Sequence, residues 1–165
     1  MNNFKKDQNL DFKVSQVNYN HLTVSKGETE AFLYQKEMPK VTVELLIVNE
    51  DEDKIVMVEE MINDVSKLVL PGGSLEPDES SGETGVRLLK EYLGIEYETG
   101  DLELYDFRTN PDRDSRQWLV SVIYIARIED TGEDYWGKIK EILLIPENQF
   151  GYDHHRVIQN YEWSC

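Results

Sequence analysis

Apolar and polar positions along the chain change period several times, and each change marks an element. The run "VTVELLIVN" at 41–49 is β-rich and close to continuously apolar, the pattern of a strand covered on both faces. The acidic turn "EDEDK" follows, and "IVMVEEMI" at 55–62 reads as the returning strand, predicting a hairpin over 41–62 with a solvated tip. "KLVLPGG" at 67–73 predicts a short strand ended by Pro71, Gly72 and Gly73. Helical spacing begins at Ser80, which with Glu83 three residues on has the form of a capping box. The helix should end before Gly94, with Val86, Leu89 and Leu93 on its core side. Gly82 and Gly85 each weaken it by about 1 kcal/mol relative to alanine.

In the second half, "YETGDLELYDFRT" predicts one strand, and "QWLVSVIYIARI" at 117–128 is the clearest strand of all. "WGKIKEILLIP" at 136–146 has a strand-like end stopped by Pro146, and "YDHHRVIQNYEW" predicts a closing helix with Asp153 near its start. Residues 1–37 carry the weakest pattern and read as an N-terminal extension, either a short strand pair or an arm packed on a partner. Residues 38–165 form the domain proper.

Composition narrows the setting. A chain of 165 residues suits one domain, and no stretch approaches the roughly 20 apolar residues of a membrane helix. The N-terminus "MNNFKKDQNLDFKV" has no apolar core for a secretory signal, and the only cysteine is the last residue, Cys165, which predicts a cytoplasmic protein without disulfides. A formal charge of −16, from 33 acidic and 17 basic residues, argues against general binding to nucleic acid or anionic membrane.

The candidate chemistry lies in "LPGGSLEPDESSGETGVRLLKEYLGI", where two glycines precede an acidic loop and a helix. Its spacing resembles the Nudix box, G-x5-E-x7-R-E-U-x-E-E-x-G-U with U bulky aliphatic, through Gly73, Glu79, Arg87, Leu89, Glu91, Gly94 and Ile95. The resemblance implies an α/β fold, a Nudix-type α/β/α sandwich with a mixed central β-sheet, the box helix on one side and the C-terminal helix on the other. In the family, three helix carboxylates converge on Mg²⁺ or Mn²⁺ beside a pyrophosphate. Here those positions are Leu88, Glu91 and Tyr92, so one carboxylate remains. By resemblance the catalytic residues are Glu79, Arg87 and Glu91, with Arg87 orienting the loop glutamate. Glu76, Glu79 and Glu91 are the candidate ligands of a weakly bound Mg or Mn, and Gly72 and Gly73 contact substrate. Without the family, Arg87 and Glu91 are also an ordinary i, i+4 ion pair, and Leu88 and Tyr92 an ordinary apolar pair.

A second likeness lies in "FRTNPDRDSRQWLVSVIYIA", whose Arg113, Asp114, Ser115 and Arg116 resemble the arginine turn of the ADP-ribose pyrophosphatase-like branch. Asp153 and His154 echo its closing "DH". Three of the six arginines, Arg108, Arg113 and Arg116, fall within nine residues, and arginine suits bidentate phosphate binding. Arg113 and Arg116 are therefore the expected substrate-binding cations; pairing of these arginines with Asp106, Asp112 and Asp114 is the competing reading. Trp118 and Phe107 could stack on adenine, although an aromatic in a strand is more often core. The histidines, His21, His154 and His155, are too scattered in sequence for a metal triad, and His154 should anchor the last helix.

Two functions follow from the resemblance. One is metal-dependent hydrolysis, weakened by the missing carboxylates, of a nucleoside diphosphate linked to another moiety, ADP-ribose-like. The other is a catalytically inactive nucleotide sensor. Relatives used as regulators append a winged-helix domain, which a chain of this length is expected to lack, so a sensor would act through a protein partner or as a homodimer.

Overall fold

The computed structural model describes residues 39–163. In chain order the strands are β1 (Lys40–Asn49), β2 (Lys54–Val56), β3 (Val58–Ile62), β4 (Val65–Val69), β5 (Gly72–Ser74), β6 (Glu103–Arg108), β7 (Leu119–Ile128) and β8 (Trp136–Lys138). The α-helices are α1 (Ser81–Leu93), α2 (Ile139–Ile142) and α3 (His154–Asn160).

β1 and β7 run parallel over their whole length, from Lys40 opposite Leu119 to Asn49 opposite Ile128. β6 adds antiparallel to β7, while β5 and β2 both pair antiparallel with β1, at its start and its end respectively. β8 closes the far edge on β2. The sheet is mixed, as expected. Its two central strands are apolar on both faces because each face has a helix: Val43, Leu45 and Ile47 pack with Leu88 and Leu89 of α1, whereas Leu46 and Val48 pack with Val157 and Ile158 of α3.

Two predicted strands divide. The 55–62 run splits at Met57, where Ile55 and Val56 stay in the buried sheet and Val58–Ile62 leaves to pair with β4 as a separate ribbon. Likewise the 67–73 run becomes β4 and β5. In 136–146 the strand lies at the beginning, and the apolar end "ILLI" is largely helical or turn. A four-residue apolar run has no period that separates strand from helix.

Helix α1 begins where its cap predicts. Ser80 N–H donates to Glu83 Oε2 (2.7 Å) and Glu83 N–H to Ser80 Oγ (3.3 Å). At the other end, Gly94 takes the left-handed conformation, φ 70°, and its N–H closes on the Lys90 carbonyl. The buried stripe is Thr84, Gly85, Leu88 and Leu89, with Val86 and Leu93 only partly covered, so Leu88 is a core residue of this helix. His21, Cys165 and the readings made for residues 1–37 lie outside the described residues. Among the described residues, no helix is long and apolar enough to cross a membrane.

Candidate functional site

The acidic loop is closed onto α1 by one arginine. Arg87 Nε donates to Glu79 Oε1 (2.8 Å), Nη2 donates to Glu79 Oε2 (3.0 Å) and the Ser74 carbonyl (3.1 Å), and Nη1 donates to Glu91 Oε1 (3.1 Å). Thr84 Oγ1 also donates to Glu79 Oε2 (2.9 Å). The Arg87 hydrogen bonds hold the Glu79 carboxyl below the usual carboxylate range. Glu76 contributes its carbonyl to the Glu79 N–H and keeps its side chain in solvent.

Leu88 is 3% exposed and packs beneath Gly73, where an added Cβ would lie 2.7 Å from Leu88 Cδ2. The Tyr92 hydroxyl donates to the Gly72 carbonyl (2.9 Å). Among the described residues, no group of three His, Cys, Asp or Glu side chains is arranged to hold a metal ion. At the three helix positions Leu88 offers no donor and the Tyr92 hydroxyl is committed to Gly72; both Glu79 oxygens are bonded to Arg87, whereas Glu91 meets Arg87 through Oε1 alone.

Beside this helix opens a cavity of about 600 Å³, within the roughly 300–1,000 Å³ of small-molecule sites. Gly72, Gly73, Ser74 and Tyr92 lie on one side of it; Val58, Glu59 and Glu60 of β3 line it, as do Arg116, Gln117, Tyr152 and His154. From β1 it takes Lys40, Thr42 and Glu44, alternate residues that share one face of the strand. Glu44 is the centre of a buried network. Arg113 Nη2 donates to both Glu44 oxygens (3.2 and 3.0 Å), its Nε to Asp153 Oδ1 (2.6 Å), and its Nη1 to Ser121 Oγ. Ser121 Oγ in turn lies 2.6 Å from Glu44 Oε1. His154 Nδ1 accepts the Leu70 N–H (2.9 Å), which leaves Nε2 as the protonated nitrogen, 3.1 Å from Glu44 Oε2. Burial raises the Glu44 carboxyl, but His154 and Arg113 outweigh it and hold it at about 2.

The residues matching the domain of this architecture run from 38 to 161, where the model of the NUDIX domain aligns. The chain belongs to the NUDIX domain family. Solved structures share the fold. A MutT/nudix family protein from Enterococcus faecalis is 23% identical with a TM-score of 0.57, covering 76% of this chain and 61% of that one. This chain thus spans less than two thirds of that relative's length. The NUDIX domain of Shewanella oneidensis NrtR, solved in complex with ADP ribose, is 24% identical with a TM-score of 0.60, covering 74% and 86%. A bifunctional NMN adenylyltransferase/ADP ribose pyrophosphatase from Francisella tularensis, complexed with AMP and a Mn ion, is 23% identical with a TM-score of 0.56, covering 74% and 40%. No curated protein matches significantly.

Within this Nudix domain the expected site residues other than Glu76, which stands in solvent, fall into three places. Glu79, Arg87 and Glu91 come together as a clamp; Gly72, Gly73 and Arg116 line the cavity; Arg113 lies wholly beneath the surface, its side chain 0% exposed. Of the local pairings, Arg108 does meet Asp106 (2.8 Å) and Arg116 meets Asp114 (2.9 Å), whereas Arg113 reaches across to Glu44 and Asp153. Trp118 Nε1 donates to the Thr109 carbonyl, and Phe107 is 55% exposed rather than core. His154 does anchor α3, through Leu70. Asp153 precedes α3 without a side-chain cap bond, because its carboxylate is turned to Arg113.

Lys40, Glu44 and Tyr152 are among the cavity residues that the sequence does not single out. Glu44 and Lys40 had a visible signal, since Lys40, Thr42 and Glu44 are the polar positions of period two in an otherwise apolar strand. Tyr152 had none. Its backbone is left-handed, φ 54°, uncommon for a bulky residue, and its hydroxyl donates to Glu60 Oε1 (2.8 Å) and accepts from Arg116 Nη2 (2.9 Å).

Proposed function

We propose that this Nudix domain binds a nucleoside diphosphate linked to a second moiety, an ADP-ribose-like ligand, and holds it without efficient hydrolysis. The observation that carries the reading is the pair Leu88 and Tyr92: one fills the core beneath Gly73 and the other closes on the Gly72 carbonyl, where metal-dependent relatives need carboxylates. A metal bridging phosphate oxygens supplies charge neutralisation and an activated water. With that donor set absent, Glu79, Arg87 and Glu91 serve to pin the acidic loop. The cavity beside them keeps polar groups for a ligand and, in Tyr152, an aromatic wall. The NUDIX domain of NrtR with ADP ribose supports the choice of ligand class.

On this reading residues 1–37 are an extension, residues 38–165 the Nudix domain, and the protein a cytoplasmic sensor that works through a protein partner or as a homodimer, without contacting nucleic acid itself. The test is incubation with Mg²⁺ or Mn²⁺ and a panel of ADP-ribose, dinucleotides and nucleoside triphosphates, following both binding and product. Binding of an ADP-ribose-like compound with no more product than a protein-free control is expected. Multiple-turnover release of AMP would make it a hydrolase instead.

A further inference from the structure

Four charged side chains on the cavity wall have partners that account for them. Glu44 is enclosed by Arg113, Ser121 and His154. Glu60 accepts from Tyr152 and Arg116, and Glu59 accepts from Ser66 Oγ (2.9 Å). Arg116 is bound to both oxygens of Asp114 through Nε and Nη2 (2.9 and 3.0 Å). Its charge is thereby offset by Asp114 and Glu60, and Tyr152 occupies Nη2 further. Arg113, the other expected phosphate ligand, is not on the wall.

Lys40 differs from all of them. It is the first residue of β1, exposed, and lines the cavity; among the described residues no carboxylate pairs with it. Its backbone is fixed by the N–H bond to the Trp118 carbonyl (2.9 Å) and by its place opposite Leu119 of β7, which also lines the cavity. The polar face of β1 thus runs from an ammonium with no carboxylate partner among the described residues, through Thr42, to a carboxylate whose charge is already met.

We propose that Lys40 receives the diphosphate of the bound ligand and that Arg113 and Arg116 shape the wall without taking phosphate charge. This rests on the nucleotide-binding reading above. The physical ground is that an anion is attracted by uncompensated charge: a guanidinium already bidentate to a carboxylate has little field left to offer, whereas an unpaired ammonium acts as a point charge on a flexible stem.

The test measures ADP-ribose affinity by calorimetry for the full chain, Lys40→Met and Lys40→Arg, at low and high salt. Lys40→Met should weaken binding by about 10- to 100-fold, the range of one charged hydrogen bond, and should flatten the salt dependence. Lys40→Arg should restore most of the affinity. The thermal midpoint should not move, since Lys40 makes no ion pair among the described residues. Wild-type protein that binds while Lys40→Met binds equally well overturns this assignment and leaves the nucleotide reading standing. Wild-type protein that binds none of the panel overturns both.

Discussion

Arg113 and Arg87 each stand between two carboxylates, and the two settings make different things of the same groups. Arg113 joins Glu44 to Asp153 with its side chain shut off from solvent, and Ser121 takes the donor left over. Arg87 joins Glu79 to Glu91 at the surface, 29% exposed, with the Ser74 carbonyl as its fourth contact. In low dielectric every member must be satisfied, and removing one leaves an uncompensated charge. At the surface, water replaces a lost partner, so the clamp on α1 is a local fastening. For stability, the clamp on α1 is expected to matter less than the network under the cavity.

The largest effect should come from breaking the buried side. Arg113→Ala should destabilise the domain by about 3–5 kcal/mol in urea unfolding, because the buried Glu44 and its neighbour Asp153 then lose the guanidinium that meets their charge. Should Arg87→Ala cost as much, the contrast would fail.

Acid titration sharpens the same point. Glu44 has its folded-state pKa depressed, from 4.5 to about 2, so its contribution is present above pH 4.5 and lost as pH falls toward 2. That window is worth about 3 kcal/mol. Stability measured from pH 5 to pH 2 should fall in the wild type and lose much of this slope in Glu44→Gln.

A smaller loss, about 1 kcal/mol, is expected for Ser80→Ala, which removes the acceptor of the Glu83 N–H at the start of α1. Thermal unfolding would register it. Arg87→Ala should have the smallest effect on the thermal midpoint, below that of Ser80→Ala, and should chiefly increase proteolysis in the 74–80 loop.

The sequence made the local features legible and left the distant ones hidden. The S-x-x-E cap, the glycine stop and the two-sided apolar strands each depend on neighbours within a turn or a strand, and all appear in the structure. The division of 55–62 between two sheets depends on which strand pairs with which, and nothing local encodes it. The arginine turn shows the same limit. Its charges were evident, but Arg113 closes on Glu44, 69 residues earlier, and on Asp153, 40 residues later. Leu88 and Tyr92 stand out in sequence as departures from the box, but that one enters the core and the other bonds Gly72 depends on packing that no local pattern encodes.

The central claim is that this helix no longer organises a metal for its ligand. Its most direct test is the affinity for ADP-ribose with Mn²⁺ present and again with the ion removed by EDTA. Equal affinity in the two conditions is the predicted result. Binding that appears only with Mn²⁺ would contradict the account, because it would mean that the remaining carboxylates, Glu76, Glu79 or Glu91, still organise the ion for the ligand.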